Sequence, residues 1–216
     1  MCLEKWYKIT SRSYHEIKLR EVIGLIRIFI DQGHNPQNPN SGAEANGVRE
    51  QDINYAIGKE LEALLVDNGN FEVQLSRPTP ETQLGSNQAT NSTSSLRTRV
   101  QAANYWGADY FISLHCNANP NPQANGSEAY VYQRRGEAYQ FAESILDEMT
   151  KLTGLRNRGV MINPALYVLR RTTMPAVLVE MGFITNPQEA DLLESRPDLF
   201  AEGIYNGILL YFGLPK

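Results

Sequence analysis

Two histidines, His34 and His115, close apolar runs that read as β-strands. "RIFIDQGH" leads through Asp31 to His34, and "YFISLH" ends in His115. A third apolar run, "PAVLVE", ends in Glu180. In open α/β sheets, ligands bind beyond the carboxyl ends of the strands. Two imidazoles and a carboxylate at such ends suit zinc, a borderline-soft tetrahedral ion that leaves one position for water. A further carboxylate, Glu50, stands at the start of the first helix, and the Gly/Asn-rich segment 35–47 could fold it back toward His34. Spacing alone does not say which glutamate would bind a metal and which would act as a general base.

Plainer roles compete for each residue. A single histidine is more often structural than a ligand; the joint placement of two at strand ends carries the argument. Glu50 could simply answer the helix macrodipole. Glu180 is harder to dismiss, because a carboxylate closing an apolar strand is costly without a partner. Cys116, next to His115, suggests Cys-His nucleophilic catalysis. In an extended strand, however, neighbouring side chains point to opposite faces, so a buried structural thiol is expected. Ser113 has no G-x-S-x-G elbow. His15 falls in the N-terminal leader and is set aside.

The elements that must position these residues follow from periodicity. Residues 26–31 read as a strand, then Ile53, Ile57, Leu61, Leu64 and Leu65 mark a helix stopped by Asp67-Asn68-Gly69. "FEVQLS" (71–76) is a strand, followed by the polar, turn-rich loop 77–95. Ser95 is expected to cap a helix carrying Leu96, Val100 and Ala103 and ending at Gly107. Strand 109–115, a loop through residue 127 and strand "EAYVYQ" come next. Ala138, Phe141, Ile145, Met149 and Leu152 mark a helix ending at Gly154, and "LYVLR" and "AVLVEMG" read as short strands. Asn186-Pro187-Gln188-Glu189 is a capped helix start with a capping-box glutamate, and a last helix runs from about Pro197. Alternating strands and helices, with several strands apolar throughout, indicate a single α/β domain with a mostly parallel sheet.

Composition narrows the function classes. Hydrophobic residues make up 42% and charged residues 20%, the mix of a globular domain. A net charge of -4 supplies no basic field for nucleic acid. Two cysteines, Cys2 and Cys116, cannot form a disulfide framework. No run is pure enough to span a membrane, and "VIGLIRIFI" carries Arg27 and runs into Asp31 with no cleavage site. Arg134, Arg135, Arg156, Arg158, Arg170 and Arg171 make the second half locally basic; they read as a solvated face, with contact to an anionic substrate group as the functional version. Residues 1–24 lack a period and are expected to be a leader, disordered or not native. Arg20-Glu21-Val22-Ile23 can be encoded as a ribosome-binding site and Leu25 as a start codon; the intact mass of the native protein tests this.

"IDQGHN…SGA" with Glu50, "LSR", "LRTRVQAAN", "ADYFISLHCNA", "GSEAYVY" and "LYVLRRTTMPAVLVEMGFITN" occur in that order. Together they resemble the zinc-dependent N-acetylmuramoyl-L-alanine amidases of the Amidase_3 type, found in autolysins and phage endolysins, over about Ile26 to Leu214. The resemblance implies a twisted mixed sheet flanked by helices on both faces, in a catalytic domain spanning 25–216. It implies one zinc ion per chain on His34, Glu50 and His115, with Glu180 as the catalytic carboxylate. The bond cut would be the amide between the lactyl group of N-acetylmuramic acid and L-alanine of the stem peptide. Loops 77–95 and 117–127 would wall the groove, with Asn117, Gly126 and Ser127 as contacts. Peptidoglycan is the expected partner of a monomer that neither binds nucleic acid nor inserts into membranes. It would act on the wall after lysis or holin release, or after export by a signal elsewhere. The family's Gly-His-Gly-Gly is Gly-His-Asn-Pro here, which stiffens the loop beside His34. A wall-binding module and a zinc peptidase acting within the stem peptide are the alternative functions.

Overall fold

The strands whose ends carry the candidate residues lie side by side. In chain order the elements are β1 (Ile26–Gln32), β2 (Glu44–Ala45), β3 (Val48–Arg49), α1 (Glu50–Asn68), β4 (Phe71–Leu75), α2 (Ser92–Trp106), β5 (Tyr110–Asn117) and β6 (Ser127–Val131). They continue with α3 (Glu137–Thr153), β7 (Asn157–Ile162), α4 (Tyr167–Arg171), β8 (Ala176–Phe183), α5 (Pro187–Ser195) and α6 (Pro197–Phe212). The computed structural model describes residues 24–85 and 91–216, so the leader expected at 1–24 lies, apart from Gly24, outside the described residues.

The main sheet has the order β4-β1-β5-β8-β6-β7. The first four strands are parallel. β6 is antiparallel to β8, and β7 runs parallel to β6. Side chains alternate between faces along each strand. Ile28, Ile30, Ile112, Leu114, Val177 and Val179 enter the larger core with α1, α3 and α6. Phe29, Phe111, Ala176 and Leu178 enter a smaller core with α2 and α4. Two covered faces explain why these strands read as continuous apolar runs. The expected α/β architecture, a mostly parallel sheet with helices on both faces, is the one observed. On the larger face α3 and α6 touch backbone to backbone, since a Cβ on Gly203 would stand 2.5 Å from Met149 Cα.

Three local expectations are corrected. "LYVLR" is not a strand but the short helix α4, with adjacent Val168 and Leu169 buried and Arg170 and Arg171 exposed. Burial of adjacent residues is helical; a run this short does not fix its own period. Ser95 does not cap α2. The cap is Asn91, which accepts from the Thr93 amide at 3.2 Å, and Ser95 sits buried a turn inside. Ser92 and Thr93 are tolerated in a first turn, so the helix begins earlier than its first apolar residue. Glu189 does not close a capping box, because Asn186 N already donates to Phe183 O. Its carboxylate instead accepts from the Gly126 amide at 2.6 Å and the Phe183 amide at 2.7 Å. Strand β7 escaped the sequence reading because only three of its residues, Val160 to Ile162, are apolar, and as an edge strand it has no buried residue.

Candidate metal centre

Glu50 is the first residue of α1. The turn before it fixes it twice, as Glu50 N donates to Ala43 O at 3.0 Å and Ala43 N donates to Glu50 Oε2 at 3.0 Å. The segment 35–47 thus brings Glu50 back toward the strand ends, as its composition suggested.

His34 follows β1 with a φ of +67°, a left-handed conformation that is uncommon outside glycine. Its carbonyl accepts from Arg99 Nη2, and Gly33 N donates to Leu114 O at 3.0 Å. Gly33 lies so close to His115 that a Cβ would stand 2.5 Å from its Nε2 and from Leu114 O. Glycine is required here by proximity, and that proximity sets the distance between the two imidazoles. Their ring centroids are 4.9 Å apart.

His34 Nε2 lies 3.1 Å, and His115 Nδ1 3.0 Å, from the same atom, Glu50 Oε1. The Cys116 amide also points at that oxygen, at 3.1 Å. A carboxylate oxygen offers about two lone-pair directions, so three nitrogens exceed its accepting capacity. A cation shared by the two ring nitrogens and the oxygen removes the excess, and one donor atom from each residue lies within 4.8 Å of the others. Ligands bonded at about 2.0–2.2 Å to a tetrahedral ion stand about 3.3 Å apart, close to the spacings here. His34, Glu50 and His115 therefore form a group able to hold a metal. Burial opposes ionisation of Glu50, but hydrogen bonds from His115 and His34 prevail and hold its carboxyl well below the usual range.

Glu180 pairs with His115 across β5 and β8, and with Glu128 across β8 and β6. The three side chains form a row on the face that also receives Phe111 and Leu178, while Cys116 points into the larger core. Among the described residues, the buried Glu180 Oε2 has no hydrogen-bond partner. Desolvation, then the charges of Glu50 and Glu128, push its carboxyl up to about 8. The Cys116 thiol is raised well above its ordinary value, first by burial and then by Glu50 and Glu180, which disfavours the thiolate a nucleophile needs.

Of the contacts expected from the loops, Asn117 donates to Glu128 Oε1 at 2.8 Å. Ser127 is buried and donates to Met181 O at 2.6 Å, and the Gly126 amide is taken by Glu189. Several supporting residues escaped sequence reasoning. Arg99, 1% exposed, binds Asp31 Oδ1 at 2.5 Å, Gln32 O at 2.7 Å and the His34 carbonyl. It lies a helical turn from both Ser95 and Ala103, so an arginine on the buried stripe was the available signal. Asn35, the departure from the family pattern, is buried. Its side chain accepts from Leu84 N and Arg99 and donates to Pro39 O and Leu84 O, tying the His34 loop to residue 84.

Residues 28–209 match the Amidase_3 family, described as N-acetylmuramoyl-L-alanine amidase. The chain is 35% identical to the N-acetylmuramoyl-L-alanine amidase CwlM of Bacillus licheniformis, over 89% of this chain and 71% of that protein. It is 33% identical to the endolysin of Bacillus phage SPP1, over 88% of this chain and 67% of that one. The catalytic domain of CwlV, an N-acetylmuramoyl-L-alanine amidase from Bacillus (Paenibacillus) polymyxa var. colistinus, superposes with a TM-score of 0.76 at 31% identity, over 88% of this chain and all of that domain. The fold is thus shared with a known amidase catalytic domain, and the chain belongs to the N-acetylmuramoyl-L-alanine amidase family.

Proposed function

We propose that this chain cleaves peptidoglycan at the amide between the lactyl group of N-acetylmuramic acid and L-alanine, using one zinc ion held by His34, Glu50 and His115. The observation that carries the reading is the crowding of two imidazoles on Glu50 Oε1 next to a carboxylate with a free oxygen. When bound, zinc supplies Lewis acidity toward water and the scissile carbonyl. Glu180 Oε2 acts as the general base: it takes a proton from the attacking water and returns it to the departing amine of L-alanine. Its Oε2, with no hydrogen-bond partner among the described residues, is the oxygen left for that proton. Glu50, held ionised, keeps the two imidazoles oriented. Asn117 and the loop residues 77–85 and 118–126 flank the substrate; residues 86–90 of the expected loop lie outside the described residues, and 92–95 belong to α2. A cavity of about 550 Å³ is lined by Pro36, Asn38, Arg49 and Leu84 among others; Pro36 and Arg49 are close in chain to His34 and Glu50, though neither His34 nor Glu50 lines it.

Residues 25–216 form the catalytic domain in this reading, acting as a monomer on the cell wall after release by lysis or a holin, or after export. Among the described residues no helix is long and apolar enough to cross a membrane. Digestion of purified peptidoglycan followed by mass spectrometry tests the bond assignment. Intact stem peptides with a free N-terminal alanine are expected, with activity lost in chelator and restored by zinc. Cuts inside the stem peptide would make it a peptidase, and binding without release a recognition module.

A further inference from the structure

Of the six arginines that make the second half basic, one is built into the row that contains Glu180. Arg158 Nε donates to Glu128 Oε2 at 2.6 Å and Nη1 donates to Asn125 O at 3.2 Å. Its guanidinium lies 5.2 Å over the Phe183 ring. Glu128 is 3% exposed, and its other oxygen accepts from Asn117 at 2.8 Å and Tyr130 OH at 2.7 Å. Arg158 is exposed like Arg134, Arg135, Arg156, Arg170 and Arg171, but among the described residues those five have no carboxylate partner.

Held on three sides, Arg158 keeps Nη2 without a hydrogen bond among the described residues, and its side chain is 31% exposed. A guanidinium with two of its nitrogens tied and the third free is held in one orientation, with a charge-assisted donor left for an anion. The row runs His115, Glu180, Glu128 across three strands, and Arg158 is the cation bonded to its end. Two strand spacings separate β7 from β8, about 10 Å. An extended peptide covers up to about 3.6 Å per residue, so Arg158 lies within two or three residues of a peptide bond being cut beside Glu180. On the sugar side of that bond the substrate is uncharged. On the peptide side, the second residue of the stem is a glutamate linked through its side chain, and its α-carboxylate is free unless amidated.

We infer that Arg158 is a specificity-determining residue that binds a free carboxylate on the departing stem peptide, with Glu128 positioning it. The inference rests on the amidase reading above. It predicts discrimination between two disaccharide tripeptides that differ only in carrying a carboxylate or a carboxamide at the second residue. Loss of one charge-assisted hydrogen bond corresponds to a factor of about 10 or more. The unsubstituted enzyme should therefore favour the acid about 10-fold in kcat/KM, through KM rather than kcat. In Arg158→Gln the acid-to-amide ratio should fall to about 1. Should that variant fail to fold because Glu128 loses its partner, Arg158→Lys keeps a cation for Glu128 but has no further nitrogen to point at the substrate, and it too should lose the preference. Equal rates on both substrates in the unsubstituted enzyme, or a preference that survives Arg158→Lys, would overturn the assignment. Cleavage of neither substrate would sink the amidase reading itself, and this inference with it.

Discussion

Asp31 and Glu180 are carboxylates on the two strands that flank β5, on the same face of the sheet, and their surroundings are opposite. Asp31 has both oxygens engaged, Oδ1 by Arg99 at 2.5 Å and Oδ2 by the Ser113 hydroxyl at 2.8 Å. Burial resists its ionisation, but Arg99's charge and hydrogen bond prevail and its carboxyl lies below the ordinary value. Among the described residues Glu180 has no ion-pair partner and one oxygen without a hydrogen bond, and its proton affinity is raised. A fully paired carboxylate stabilises the fold and has nothing left for a substrate. An unpaired one is a cost to the fold that makes sense where protons must move. Arg99 joins the two regions, since the guanidinium that neutralises Asp31 also grips the His34 carbonyl.

The contrast makes predictions that should separate by observable. Glu180→Gln should lower kcat by about 10²- to 10⁴-fold. Its zinc content, measured by elemental analysis, should not change, and its melting temperature should stay or rise. A clear loss of stability would place Glu180 with Asp31. Asp31→Ala should do the reverse, costing about 3–5 kcal/mol in denaturant unfolding because Arg99 is left buried and unpaired. Gly33→Ala must push the His115 ring away, and the expected result is a zinc affinity weakened by about 10- to 100-fold, comparable to loss of an outer-shell partner. Unaltered affinity by competitive titration would mean that the imidazoles are not held by that contact. The mildest test is pH. The pair's contribution is present above the unfolded aspartate value of about 3.9 and is lost as pH falls through the lower folded value. The stability gap between the unsubstituted protein and Asp31→Asn should therefore be constant from pH 5 to 7 and shrink as pH falls below about 4.

Much of the site was legible because its donors sit at the ends of apolar runs, and burial makes such runs easy to see. His34, His115 and Glu180 could be picked out for that reason. Residues whose importance depends on what faces them were not legible. Arg99 and Arg97 differ by two positions, yet only Arg99 lies on the buried stripe of α2. Glu128 reads like any polar residue of a half-buried strand until β7 supplies Arg158. The error over α4 has the same origin, since a short apolar run takes its period from the core it packs against.

By itself the sequence determined the alternation of strands and helices, the apolar strands of a sheet covered on both faces, and the short set of side chains able to bind a metal or move a proton. These follow from periodicity and residue chemistry, which are local. Only the tertiary structure decided which carboxylates are paired, which one keeps a free oxygen, and which arginine stands in the row with it. Those outcomes depend on distances of about 3 Å between residues as far apart in the chain as Asp31 and Arg99, or Glu50 and His115. An ionisable group's energy is set by the charges and solvent around it in space, and chain position does not record that.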